Sequence, residues 1–112
     1  MNISDLCHGA HEVALEKGWY DPPKSFGEMI LMCHTELSEA IQEYRIYGDL
    51  NSIHTVGGLA GNVPHGVPIE LADLVIRVAD LCQNYGIDLE DAIAKKIEYN
   101  KTRPMRHGGK AL

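Results

Sequence analysis

Pro68-Ile69-Glu70-Leu71-Ala72-Asp73-Leu74-Val75-Ile76-Arg77-Val78-Ala79-Asp80-Leu81-Cys82 is the stretch on which the fold turns. At about 100° per residue, Leu71, Leu74, Val75, Val78, Leu81, Cys82 and Tyr85 fall on one side of a helix. Ile69, Ala72, Ile76 and Ala79 fall on the other. Only a narrow strip is polar, and it carries Glu70, Asp73, Arg77, Asp80 and Asn84. A helix apolar over so much of its circumference belongs in the centre of a bundle or an oligomer. Its strip faces either solvent or a polar site inside the assembly. Pro68 suits the first turn of such a helix, and Gly86 suits its end.

Three more helices flank it. The first runs from Ser4, an N-cap type, to Lys17, with Gly18 behind it and Leu6, Ala10, Val13 and Ala14 on its apolar face. A turn through Trp19-Tyr20-Asp21-Pro22-Pro23-Lys24 leads to Ser25-Phe26-Gly27-Glu28, a capping box. The second helix runs from there to Tyr47 and stops at Gly48. The fourth starts at Asp88 and reaches Lys101, with Pro104 barring continuation. No strand pattern stands outside these helices, so the expected class is all-α. Between the second and third helices lies a long loop, 48–67, with glycines at 48, 57, 58, 61 and 66. Loops of that length in compact domains are functional or mobile. This one reads as a lid over a site or, because of Ile53, Val56, Leu59 and Val63, as an arm packed on a neighbouring chain.

Composition narrows the class. The chain has 112 residues, the size of one domain spanning 1–112. With 45% apolar and 23% charged residues, its balance is that of a soluble globule. The longest purely apolar run, Met29 to Cys33, is far below the ~20 residues of a membrane helix. The first residues show neither a basic start nor an apolar core of a secretory signal. Cys7, Cys33 and Cys82 form no CxxC and read as buried thiols of a cytoplasmic protein. The net charge of -6 argues against duplex DNA as a partner. The charge is divided unevenly: residues 95–112 carry +5 and the rest carries -11.

The acids of the second helix are crowded. Its apolar arc is Phe26, Met29, Ile30, Cys33, Leu37, Ala40, Ile41 and Tyr44. Glu36, Glu39 and Glu43 cluster on one flank of that arc, with no Lys or Arg between Ser25 and Tyr44 to neutralise them. Each such like-charge pair costs a helix about 0.2–0.5 kcal/mol, which a bound cation repays. On the fourth helix, Leu89, Ala92, Ile93 and Ile97 set an apolar face, and Lys96 and Asn100 fall within it. A core-facing Lys must snorkel, pair or bind an anion.

Glu36-x-x-Glu39 and Glu70-x-x-Asp73 each place two carboxylates on one helix face. Two such helices side by side make an oxygen cage for Mg2+ or Mn2+. Di-iron bundles use Glu-x-x-His instead, and none occurs here. His8-x-x-His11 has no accompanying acid pair and reads as ordinary surface histidine more than as a zinc pair. A Mg2+ cage beside Lys96, Asn100 and Arg103 suits a polyphosphate, the metal bridging phosphate oxygens and the cations taking the remaining charge.

The stretches Glu36-Leu37-Ser38-Glu39-Ala40 and Glu70-Leu71-Ala72-Asp73-Leu74-Val75-Ile76 resemble the ExxE…ExxD signature of the MazG-like, all-α nucleoside triphosphate pyrophosphohydrolases. Lys96-Ile97-Glu98-Tyr99-Asn100-Lys101-Thr102-Arg103-Pro104, followed by Arg106-His107-Gly108-Gly109-Lys110, is similar to that family's C-terminal phosphate-side segment. Gly18-Trp19 and the Pro-rich turn match the approach to its second helix. The resemblance spans nearly the whole chain. The spacer between the acid motifs is longer here than is common in the family.

The resemblance implies a four-helix MazG-like bundle, assembled as a homodimer or homotetramer. It implies Mg2+-dependent hydrolysis of a (deoxy)nucleoside triphosphate to monophosphate and pyrophosphate, a nucleotide-pool house-cleaning activity. Glu36, Glu39, Glu70 and Asp73 become metal ligands, with Lys96, Asn100 and Arg103 as phosphate contacts. Glu39 is the expected base, with Glu36 or Glu43 as substitutes, and Trp19 and Phe26 are candidates to stack the nucleobase or simply to fill the core. Two readings from other classes stand beside this one. One is a non-catalytic acidic adaptor or antitoxin-like module that binds a basic protein. The other is a metal-free structural dimer.

Overall fold

The computed structural model of the protein describes residues 1–59 and 61–104. Arg106, His107, Gly108, Gly109 and Lys110 of the basic segment lie outside the described residues. The element order is α1 (Ile3–Glu16), α2 (Phe26–Tyr47), β1 (His54–Gly58), β2 (Gly61–His65), α3 (Val67–Asn84) and α4 (Leu89–Thr102). No helix among the described residues is long and apolar enough to cross a membrane.

Local chemistry sets the helix ends. Asn2, not Ser4, caps α1: its side chain accepts the Asp5 N–H at 2.8 Å, so the helix starts one residue before Ser4. Ser25 caps α2, its Oγ accepting the Glu28 N–H and donating to Glu28 Oε1, both at 3.2 Å. Gly48 closes α2 in the left-handed conformation, φ 65°. Asp88 accepts the Asp91 N–H at 3.0 Å and opens α4.

The expectation of an all-α chain is corrected between α2 and α3. β1 and β2 form an antiparallel hairpin in which His54 faces His65, Val56 faces Val63 and Gly58 faces Gly61. Each strand holds a single large apolar residue, Val56 or Val63, among glycines and polar residues, so the period of two that marks a strand does not show. Gly66 joins the hairpin to α3 with φ 130°, and a Cβ there would overlap the Ser52 carbonyl oxygen. Only glycine fits where the chain doubles back to start α3.

α3 lies between α1 and α2. The core gathers Cys7 of α1, Met29 and Cys33 of α2, and Ala79, Leu81 and Cys82 of α3, with Leu6, Ile30, Leu74 and Val78 packed around it. The three thiols are buried and unpaired, as expected of them.

Cover for the rest of α3 is incomplete in one chain. Leu71, Val75 and Ile76 keep 43–51% of their surface exposed, so α3 is not enclosed all round. The buried residues of α3 are Val67 and Glu70 near its start and Ala79, Leu81 and Cys82 near its end. On α2, Leu37, Ile41 and Tyr44 are also exposed. The buried stripe there is Met29, Cys33, Glu36 and Ala40, which places Glu36 on the core side and not on the flank of the apolar arc.

Helix α4 departs furthest from its pattern. It packs against α1 and buries no residue fully. Lys96 and Asn100 are solvent-exposed, so neither is enclosed by the core of its own chain. The radius of gyration is 16.7 Å, against about 13 Å for a self-contained globule of this length.

Candidate metal centre

Helices α2 and α3 run antiparallel, which brings Glu36 and Glu39 opposite Glu70 and Asp73. One oxygen each of Glu36, Glu70 and Asp73 lie within 4.8 Å of one another. Glu36 is 4% exposed and Glu70 7%. Carboxylates are seldom buried unless they are paired or bind a cation.

Arg77, one turn beyond Asp73, supplies part of the pairing. Its Nε donates to Glu36 Oε1 at 2.5 Å. Glu36 Oε2 is buried with no hydrogen-bond partner among the described residues. Burial pushes the Glu36 carboxyl up, but the Arg77 guanidinium beside it helps outweigh that and hold it below its ordinary value. Glu70 has no cation of its own among the described residues. Burial, then Glu39 beside it, then Asp73 and Glu36 push it up to about 7. Asp73 is raised by burial and by Glu36, with Arg77 opposing.

Without an ion, then, the cluster keeps one carboxylate ionised against Arg77 and one that holds its proton close to neutrality. Four carboxyls with one guanidinium leave a surplus of negative charge, and one Glu36 oxygen among them is buried without a partner. This donor set suits a hard divalent cation, which takes oxygen ligands and retains water. A cation held there would displace the Glu70 proton, because ligands must be deprotonated.

Trp19 stands at the edge of the same cluster. Arg77 Cζ lies 4.6 Å from its ring centroid on one side of the contact, and Lys24 Nζ lies 4.8 Å from it. A groove of about 330 Å³ between α1 and α3 is lined by Trp19, Ala10, Asp73, Ile76, Arg77 and Asp80 among others. It is large enough for a small organic ligand.

Phe26 is elsewhere. It packs edge-on against Tyr85 with centroids 5.2 Å apart. Ten residues separate it from Glu36, about 15 Å of helix. Lys96, Asn100 and Arg103 are not among the partners of the carboxylates in their own chain. Lys96 and Arg103 instead lie over the Tyr99 ring, at 4.9 and 5.7 Å.

Arg77 is the residue whose role the sequence reading missed. Its signal was available: it follows Asp73 by four and Glu70 by seven, the spacing of one helix face. Comparison with family models, curated proteins and solved structures gives no match for the chain.

Proposed function

We propose that the protein is a Mg2+-dependent pyrophosphohydrolase of (deoxy)nucleoside triphosphates, of the MazG-like type, with Mn2+ as a substitute ion. The observation that carries this reading is the buried Glu36 carboxylate, paired through one oxygen and unpartnered at the other, within 4.8 Å of Glu70 and Asp73 oxygens. A structural ion pair needs Glu36 and Arg77. It does not need Glu70 and Asp73 packed against them at the cost of raised pKa values.

In this reading Glu36, Glu70 and Asp73 hold the ion. When bound, Mg2+ supplies charge neutralisation for the polyphosphate and acidifies coordinated water. Glu39, the most exposed carboxyl of the four, accepts the proton of the water that attacks the α-phosphorus. Arg77 fixes the orientation of Glu36. Trp19, at the mouth of the groove, offers a face to the nucleobase. Phe26 takes no part from the same chain.

Phosphate contacts then come from a second copy. The proposed assembly is a homo-oligomer that covers Leu71 and Val75 of α3 and Leu37 and Ile41 of α2, all exposed in one chain. Helix α4, with no fully buried residue, is the element that would reach across with Lys96, Asn100 and Arg103. Exposed Val56 and Val63 suit the hairpin as an arm on that neighbour.

The deciding experiment is pyrophosphate release from a panel of nucleoside triphosphates with and without Mg2+. Release that requires the ion supports the proposal. A panel with no turnover, from a protein that still binds a basic protein partner, favours the adaptor reading.

A further inference from the structure

We propose that the hairpin carries a second, distinct metal site, a mixed histidine–carboxylate centre for a divalent transition metal of the zinc class, formed by Glu43, His54, His65 and Glu70. It stands on the hairpin geometry and does not depend on what the Glu36 cluster catalyses.

The site is assembled by register. His54 and His65 are direct cross-strand partners, so their side chains leave the same face of the hairpin. Their rings lie nearly parallel, with centroids 5.9 Å apart and planes at 20°. That face is turned toward Glu43 on α2. His65 Nδ1 is 3.6 Å from Glu43 Oε1, and His54 Nε2 is 3.7 Å from Glu43 Oε2. One ligand atom each of Glu43, His65 and Glu70 lie within 4.8 Å of one another.

These separations are too long for hydrogen bonds. They suit donors that share one ion: metal–ligand bonds of about 2.0–2.1 Å in a tetrahedron place ligand atoms about 3.4 Å apart. A second observation points the same way. Glu43 Oε2 is buried and has no hydrogen-bond partner. A carboxylate that only paired with an imidazole would close to hydrogen-bonding distance.

The donor set selects the ion class. Two imidazoles with carboxylates suit Zn2+ and its transition-metal neighbours, whereas Mg2+ prefers an all-oxygen shell. Glu43, His65 and Glu70 are already gathered from α2, β2 and α3, whereas His54 of β1 stands outside that group, 3.7 Å from the other Glu43 oxygen, and joins as fourth ligand only when the ion binds. A metal there clips the hairpin to both helices and shortens the loop that must otherwise be ordered by packing alone. Glu70 is common to both groups, so occupancy at the hairpin also fixes one ligand of the Glu36 cluster.

The test is Zn2+ titration of the whole untagged chain, by calorimetry and by the imidazole 15N shifts of all six histidines. One equivalent is expected to bind and to shift His54 and His65, leaving His8 and His34 in place, while Mg2+ shifts neither hairpin histidine. His54→Gln and His65→Gln are each expected to weaken Zn2+ binding by at least about tenfold, since even outer-shell partners of a metal contribute 10–100-fold. Unmoved His54 and His65 nitrogens in the wild-type chain overturn the site, as does wild-type affinity in the folded His65→Gln variant. The shift measurement needs no variant, so a substitution that fails to fold leaves the question answerable. Neither readout involves hydrolysis, so loss of this site and loss of the proposed activity are separable results.

Discussion

Arg77 Nε on α3 donates to Glu36 Oε1 on α2 at 2.5 Å and leaves Glu36 Oε2 buried with no partner. One contact thus ties the two central helices together and keeps half of a carboxylate available. Removing the guanidinium strands a buried negative charge, which costs about 3–5 kcal/mol in comparable settings. Arg77→Met is expected near the lower end, about 3 kcal/mol, because its side chain is 25% exposed. Glu36→Gln in the same chain should restore most of that loss. Urea unfolding of the two single variants and the double variant measures the coupling, and a wild-type midpoint for Arg77→Met would mean the pair stabilises nothing.

The carboxylate cluster makes a catalytic prediction that stability cannot mimic. Glu36→Gln and Asp73→Asn should each abolish Mg2+-dependent pyrophosphate release and keep the helical circular-dichroism signal near that of the wild type. Full turnover by either variant would remove these carboxylates from the chemistry.

Glu70 gives the metal-free protein a pH dependence of defined sign. Its folded value is raised to about 7 from an ordinary 4.5. The folded state therefore holds the proton more tightly than the unfolded state does. Stability from this group is complete below about pH 4.5 and declines as the pH rises through 7. Asp73, also raised, acts in the same direction. In chelator, Tm is expected to fall between pH 5 and pH 8 by several degrees, on the scale of about 4–8 °C per kcal/mol. Glu70→Gln should flatten that slope, and a saturating divalent cation should reverse it. Differential scanning calorimetry across the range reads both effects.

Lys96 is exposed on a helix with no buried residue, so Lys96→Met should fold normally. If a second copy completes the site, activity falls about 10²-fold, the scale of one lost charge-stabilising donor. Mixing this variant with inactive Glu36→Gln should then recover activity, because hybrid assemblies contain one site with both groups intact. Two inactive proteins that stay inactive after subunit exchange would place Lys96 outside a shared site. Light scattering should report a dimer or tetramer at micromolar concentration.

Gly66 fixes the direction in which the chain enters α3, four residues before Glu70. With φ at 130° and the Ser52 carbonyl oxygen where a Cβ would stand, Gly66→Ala should cost roughly 1–3 kcal/mol. Thermal unfolding tests the cost. An alanine variant as stable as the wild type would show that the hairpin base rearranges freely.

Helix positions and most of their caps, Asn2 of α1 excepted, were legible in the sequence because they depend on local chemistry. Ser25 with Glu28, Gly48, Asp88 with Asp91 and the apolar period of α3 act within a few residues of themselves. The ExxE and ExxD pairs were legible for the same reason: helical spacing alone puts each pair on one face. What spacing does not fix is which face a neighbour covers. Glu36 lies in the buried stripe of α2 because Arg77 arrives from α3 to meet it, a relation across 41 positions. Lys96 stands exposed because α4 packs against α1 and not over the acids. The hairpin escaped the periodicity test because each strand has only one large apolar residue, Val56 or Val63, and the approach of His54 and His65 to Glu43 follows only from its register. Residue type and local period thus determined the helices and the candidate acids. Tertiary packing alone decided which charges share a low-dielectric space, because burial and pairing depend on segments distant along the chain.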